Sequence, residues 1–132
     1  FNMLRQGMIA LAVCAAFAAG PGHAASDPLA GTWSGGGYVQ PKDGAREKVS
    51  CRVTYSRRSD KVYGVSATCA STSVKIQQTG ELLHVSGNRY VGDFHNPQYD
   101  VSGRVRVVVN GGSQSVTFSS AHGGGAMTLH RR

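Results

Sequence analysis

The sequence predicts an all-β fold, a small antiparallel meander of eight or nine strands closed as a barrel, with a β-sandwich as the alternative. Three observations lead to this prediction. Apolar and polar residues alternate with a period of two in one run after another. The runs are separated by short turns rich in Gly, Asn, Ser and Pro. Beyond residue 25, helical periodicity is missing from the sequence.

The N-terminal part is typical of a secretory signal peptide. Arg5 precedes an apolar run, 8–19, and small residues follow it. We expect cleavage after Ala24 or Ala25, because small side chains stand before either bond. The run is shorter than the roughly 20 residues that a membrane-spanning helix needs. The expected parts are a signal peptide, 1–25, and a single β-barrel domain, 26–132, that is periplasmic or secreted and has no transmembrane segment.

Nine runs of the mature part carry the strand-like alternation. Because the turns between them are short, the runs predict antiparallel neighbours in a meander. A sheet of this size exposes its edges unless it closes into a barrel or splits into two packed sheets. The predicted strands are 32–40, 48–56, 62–70, 74–79, 82–86, 88–94, 99–110, 113–120 and 126–130.

The second and third runs predict a hairpin that carries one disulfide. Cys51 and Cys69 lie on the apolar faces of the two runs, and the turn at 57–60 places them nearly opposite each other. Cα atoms in such positions are close enough for a bridge. Because Cys14 leaves with the signal, two cysteines remain in an exported chain, a pattern that favours a disulfide.

Glycines mark several expected bends and loops. Gly103 interrupts the apolar face of its strand and predicts a bend or bulge, and the run 35–37 either curves the first strand or leaves a loose edge. Gly80 and Glu81 are predicted as a turn between two strands. The glycine-rich run 121–125 is predicted as a loop between strands, and this position excludes a phosphate-binding loop of the kind that precedes a helix.

The charge of the mature part favours anionic partners. Without Arg5, 13 basic and 7 acidic residues remain, a net charge of +6. Nucleic acid is not expected, because the chain has no basic stripe with interleaved aromatics. Outward positions of two strands either form one basic surface or are ordinary solvated positions that limit edge pairing. These positions are Lys48, Arg52, Arg104 and Arg106.

Catalytic, metal and cofactor sites are not expected. The four histidines of the mature part lie on different segments without the spacing of zinc ligands. Asp93, His95 and Asp100 form the densest polar cluster, which either supports acid–base chemistry or is an ordinary turn. Since a Gly-x-Ser-x-Gly elbow is also missing, an enzyme is only an outside alternative.

The short motif Gly31-Thr32-Trp33 resembles the start of the first strand in small barrels of the lipocalin and avidin type. The resemblance implies that Trp33 plugs one barrel end and that a basic residue near the last strand, Arg131, lies across it. It covers three residues at one end and about two at the other. The long ligand-gating loop and C-terminal helix of full-size lipocalins are missing, and so is the biotin-contacting pattern of avidins. The whole chain is also similar to small exported proteins of Gram-negative bacteria.

The expected function is an exported binding module that holds a small amphipathic or anionic ligand in or on the barrel, or that binds an anionic surface. Tyr55 and Tyr63 face inward and either line the ligand pocket or fill the core. The alternative is a protein-binding inhibitor of an envelope or host enzyme. A pocket of about 300–1,000 Å³ would favour the small molecule, and an interior filled with side chains would favour the inhibitor.

Overall fold

Eight antiparallel strands form a closed barrel in the computed structural model, which describes residues 27–132. Each strand pairs with the next along the chain, and the last strand pairs with the first from Trp33–Arg131 to Pro41–Gly123. The barrel is therefore confirmed, with eight strands, and the sandwich alternative is wrong. The expected signal peptide, 1–25, lies outside the described residues. The strands are β1 (Gly31–Pro41), β2 (Glu47–Arg57), β3 (Val62–Ala70), β4 (Lys75–Ser86), β5 (Arg89–Asn96), β6 (Val101–Asn110), β7 (Ser113–Ser120) and β8 (Gly123–Arg131).

Alternation along each strand sorts the side chains between the barrel interior and the outer wall. In β2, for example, every second side chain is buried and the residues between them are almost all exposed. The predicted hairpin is β2 and β3, and Cys51 pairs with Cys69 across it and forms the predicted disulfide. The buried hydrophobic core consists of Leu29, Trp33, Val49, Cys51, Val53, Tyr55, Tyr63, Cys69, Leu82, Tyr90, Val107, Val109, Val116 and Leu129.

The turn predicted at Gly80 and Glu81 is wrong, because both residues lie inside β4. Gly80 pairs with Val65 of β3 on one side and with Phe94 of β5 on the other. A Cβ atom there would lie 2.1 Å from the carbonyl oxygen of Asp93. The glycine therefore serves the close approach of two strands at a bend of the barrel wall, as glycine does within strands. One continuous strand replaces the predicted 74–79 and 82–86.

The loop predicted at 121–125 is wrong for its three glycines, because the turn is limited to 121–122 and the glycines begin β8. They pair with β1 on one side and with β7 on the other. A Cβ atom at Gly125 would lie 2.3 Å from the carbonyl oxygen of Tyr38 and 2.6 Å from the Phe118 ring. Glycine is therefore needed for packing inside the barrel. The sequence pattern alone does not distinguish this role from that of a loop.

The turns gather at two opposite ends, as they must in an up-and-down barrel. The short turns 58–61, 87–88 and 111–112 lie at one end together with the segment 27–30 that precedes β1. The turns 42–46, 71–74, 97–100 and 121–122 lie at the other. Within residues 27–132, helices long and apolar enough to cross a membrane are absent.

Candidate functional site

One end of the barrel is sealed by Trp33 and Arg131. Trp33 is fully buried, and its indole N–H donates to the carbonyl oxygen of Leu29 at 2.9 Å. The guanidinium carbon of Arg131 lies 4.5 Å from the Trp33 ring centre, a cation–π distance. The same guanidinium donates to the carbonyl oxygens of Ala30 at 2.7 Å and Pro28 at 2.8 Å. Arg131 thus holds the segment 27–30 across the barrel end, in the arrangement that the Gly-x-Trp resemblance implied.

Asp27 ties the same segment to the neighbouring strands. Its carboxylate accepts the backbone N–H groups of Leu29 and Ala30, both at 2.8 Å, and the Tyr63 hydroxyl at 3.0 Å. It also forms a salt bridge of 3.0 Å with Arg57. Partial burial opposes ionisation, but these hydrogen bonds outweigh it and lower the pKa of the carboxyl below its ordinary value.

Tyr63 belongs to the sealed end, which corrects the prediction that it lines the ligand pocket. Burial, followed by the hydrogen bond to Asp27, raises the pKa of its hydroxyl to about 12. Its ring meets that of Tyr90 edge to face at 5.6 Å. The residue faces inward as predicted, but one barrel end is closed and Tyr63 is at that end. It lines neither of the two interior cavities described below.

The opposite end opens into a pocket of about 350 Å³, here called the mouth pocket. Its wall is mainly apolar, with side chains from β1, β2, β4, β6 and β8. Polar groups lie among the lining residues as well, and all but Gln78 of β4 belong to strand ends and turns at this end of the barrel. The apolar wall includes Val39, Val49, Ile76, Val101 and Met127, and the polar groups include Gln40, Gln78, Asn96, Ser120 and His122.

A second, smaller cavity of about 70 Å³, the inner cavity, lies in the middle of the barrel. Phe94 and Phe118 line both cavities, and their rings meet edge to face at 6.0 Å. A Cβ atom at Gly103 would lie 2.7 Å from the Phe94 ring, as one at Gly125 would crowd Phe118. Each phenyl ring therefore lies against a glycine. Cys69, Gln78 and Met127 also line both cavities, so these side chains and the two rings lie where the mouth pocket and the inner cavity adjoin.

Tyr55 lines the inner cavity, and its hydroxyl forms a buried hydrogen bond with Gln114. Its hydroxyl donates to the side-chain oxygen of Gln114 at 2.5 Å, and burial raises the pKa of this hydroxyl above its ordinary range. Gln114 is 1% exposed, and its side-chain N–H₂ group has no hydrogen-bond partner within residues 27–132. Buried polar groups are nearly always paired. The Gln114 N–H₂ group is therefore an exception among the buried side chains of residues 27–132, and it lies outside the lining of both cavities.

The four predicted outward cations do not form one surface. Lys48 and Arg52 are exposed on β2, whereas Arg104 and Arg106 are exposed on β6. These strands are four apart in a ring of eight, so they lie on opposite walls. The prediction of a single basic surface is wrong, because alternation gives the face of a strand but not its neighbours in the barrel. Arg104 also forms a salt bridge of 3.1 Å with Asp93.

The polar cluster around Asp93 is divided among separate partners. Asp93 contacts Arg104, while the Nδ1 atom of His95 lies 2.9 Å from the Ser102 hydroxyl oxygen. Asp100 is in the turn 97–100 and has a positive φ of 53°. In the described part of the chain, groups of three or more His, Cys, Asp or Glu arranged to hold a metal ion are absent.

Several residues of the two ends were not predicted from the sequence. The sequence Asp27-Pro28 is typical of a turn, but it does not indicate that Asp27 contacts Tyr63 of β3. Phe94 and Phe118 alternate inward, so their partial burial follows from the pattern. Their mutual contact does not, because it depends on the curvature of the closed barrel. The long-range pairing of Tyr55 with Gln114 has no local sequence signal.

Solved structures of small β-barrels are similar to this chain. A redesigned β-barrel, mFAP1, bound to DFHBI, matches with a TM-score of 0.68 and 14% identity over 79% of this chain and 95% of its own. A de novo designed fluorescence-activating β-barrel gives 0.63 and 16% over 80% and 94%. Rv2717c from M. tuberculosis gives 0.59 and 13% over 80% and 93%.

No protein-family model and no curated protein matches the chain. At these identities the structural likeness shows the fold, a small eight-stranded β-barrel.

Proposed function

We propose that this protein is a binding module that holds a small amphipathic molecule in the mouth pocket. The observation that carries the proposal is the contrast between the two ends. At one end Trp33, Arg131 and Asp27 cover the core, and the cleft of about 400 Å³ beside them is lined largely by turn residues such as Gly87, Asn88 and Gly111. The other end opens into a mainly apolar pocket of about 350 Å³ that shares lining residues with the inner cavity. Small-molecule sites have volumes of about 300–1,000 Å³, so the pocket is large enough for a compact ligand.

The lining of the pocket supports an amphipathic ligand. An apolar part would lie against Val39, Ile76 and Met127, where its transfer from water is favourable. A polar part would remain near Gln40 and His122. The net charge of +6 in the mature part favours an anionic polar group over a cationic one. The designed barrel mFAP1, which is similar in fold, binds the small molecule DFHBI.

The proposal includes two further points: the protein is exported, and it binds its ligand without catalysing a reaction. Disulfides persist in oxidising compartments, so the Cys51–Cys69 bridge supports a periplasmic or secreted location. N-terminal sequencing of the protein from the envelope or the culture medium tests this point. The expected first residue is Ala25 or Ser26, and an intact N-terminus in the cytoplasm would contradict export.

The open pocket favours the ligand-binding function over the protein-binding inhibitor. An inhibitor needs only a surface or a loop, and its barrel interior can be filled by side chains. Here Phe94, Phe118 and Met127 leave space on both of their sides. A polar cluster at Asp93 that is divided among separate partners gives no support to an enzyme.

Fluorescence of the amphipathic anion 1-anilinonaphthalene-8-sulfonate tests the proposal. The dye is expected to bind the wild type and to lose at least about tenfold in affinity in I76W, because the larger side chain fills the mouth pocket. The control is Q77W, since Gln77 is the next residue of β4 and is exposed on the outer wall. Equal binding by both variants would contradict a ligand site in the mouth.

A further inference from the structure

One part of the outer wall exposes aliphatic side chains to solvent. Leu83 and Val85 of β4 are 47% and 48% exposed. Val62 of β3 and Val91 of β5 pair with Leu83 on its two sides, so the three side chains lie in one row across the strands. We call Val62, Leu83, Val85 and Val91 the apolar patch. It lies in the half of the wall nearer the sealed end, because Val62 begins β3 after the turn 58–61.

Arginines stand at both ends of this row. The backbone N–H of Arg58 donates to the carbonyl oxygen of Val62 at 2.8 Å. On the far side, Arg106 of β6 pairs with Val91. Since each pair lies side by side in the barrel wall, the outward row runs from one arginine across three aliphatic residues to the other.

Further cations border the patch toward the sealed end. The carbonyl oxygen of Lys61 accepts the backbone N–H of His84 at 2.8 Å, and Arg89 pairs with Ser86 beside Val85. Lys61 and Arg89 are both exposed.

The acidic residues near the patch are largely neutralised. Glu81 lies 3.6 Å from Arg58, and Asp93 lies 3.1 Å from Arg104. The third, Asp60, is in the turn 58–61 and is the remaining carboxylate on this side. Three cations at the patch form no salt bridge with any residue in 27–132, so its border carries excess positive charge. They are Lys61, Arg89 and Arg106.

We propose that this wall docks on the surface of an anionic lipid bilayer. Aliphatic side chains enter the interface between head groups and acyl chains, while arginine and lysine around them attract anionic head groups. A second copy of the chain is a poorer occupant, because a symmetric contact through the same patch would bring its cations against those of the first copy. Docking on the side wall leaves the mouth pocket open, so this proposal is independent of the ligand site.

Sedimentation with phosphatidylcholine vesicles, with and without phosphatidylglycerol, tests the docking. The full-length mature protein is expected to bind only the vesicles that contain phosphatidylglycerol, and less at high salt. Each cation near the surface contributes about fivefold to binding, so R89Q/R106Q should lose more than about tenfold. L83S should also lose binding, because the apolar contact is removed while the charges remain.

The matched control is K48Q/R52Q on β2, two strands from β4 and farther from the sealed end than the patch. It removes the same charge from a part of the barrel where Thr54 and Ser50 are the outward neighbours on β2. Binding within about threefold of the wild type supports the assigned wall. Equal losses in both double variants, or no binding by the wild type, would overturn it. Self-association in analytical ultracentrifugation that disappears in L83S would also overturn it, because the occupant would then be a second copy.

Discussion

The guanidinium of Arg131 covers the ring of Trp33 and at the same time donates hydrogen bonds to the carbonyl oxygens of Ala30 and Pro28. One side chain at the end of β8 thereby closes the barrel and holds the segment that precedes β1. The chain begins and ends its described part at the same end of the barrel, and this contact joins the two.

Replacing Arg131 by Gln is expected to lower the free energy of unfolding by about 1–3 kcal/mol, because cation–π contact and charge-assisted hydrogen bonds are lost. Urea unfolding measures the change, and the emission of Trp33, the only tryptophan, should shift to the red as water reaches it. The neighbouring R132Q is the control, with an expected change within about 0.5 kcal/mol. Equal destabilisation in the two variants would show that the effect is one of charge alone.

The carboxylate of Asp27 predicts a dependence of stability on pH. Its pKa in the folded protein lies below the value of about 3.9 in an unfolded chain. Its ionised form therefore contributes stability above about pH 4, and this contribution is lost as the pH falls through the folded value. We expect D27N to be less stable than the wild type at neutral pH. The difference should shrink below about pH 4, when the wild-type carboxyl also becomes neutral.

Thermal or urea unfolding over this pH range measures the two proteins side by side. D43N, in the exposed turn 42–46, serves as the control and should follow the wild type at every pH. A constant difference between D27N and the wild type would contradict the ionic role of Asp27.

The disulfide is expected to contribute about 3 kcal/mol to stability, the chain-entropy value for a loop of this size. The C51A/C69A variant should fold to the same barrel and unfold at lower urea concentration. Thiol titration of the unfolded, unreduced wild type should find no free thiol in the mature protein. Two free thiols per chain would show that Cys51 and Cys69 are not bridged.

Gly103 is expected to be intolerant of a side chain. A Cβ atom there would lie 2.2 Å from the carbonyl oxygen of Ser119 and 2.7 Å from the Phe94 ring. We predict that G103A is destabilised by about 1–3 kcal/mol, the usual range for overpacking. In G112A the new atom meets nothing within 4 Å, so unfolding should change by less than about 0.5 kcal/mol. Similar stabilities for the two variants would contradict the packing of Phe94 against Gly103.

Strand alternation was sufficient to predict most of the fold. The pairing of Cys51 with Cys69 followed from two alternating runs and one turn, because both residues are local to a single hairpin. Glycine was the main source of error. Gly80 and Gly125 occupy strands where neighbouring groups approach closely, and a period-two pattern does not distinguish such positions from turns.

The two barrel ends were predictable only in part. The resemblance of Gly31-Thr32-Trp33 to small barrels pointed to the contact between Trp33 and Arg131. The prediction of one basic surface was wrong because β2 and β6 lie on opposite walls of the barrel. Which strands share a wall depends on how the whole sheet closes. The same closure brings Phe94 to Phe118 and Tyr55 to Gln114, contacts that join distant parts of the chain.

Titration of the ¹⁵N-labelled mature protein with 1-anilinonaphthalene-8-sulfonate, followed by amide chemical shifts, tests the ligand site most directly. The predicted result is a saturable set of shifts at the mouth-end residues of the strands, including Val39, Ile76 and Met127, with the amides near Trp33 unchanged. Shifts confined to the sealed end or to the outer wall, or no saturable shifts at all, would contradict a binding site in the mouth pocket.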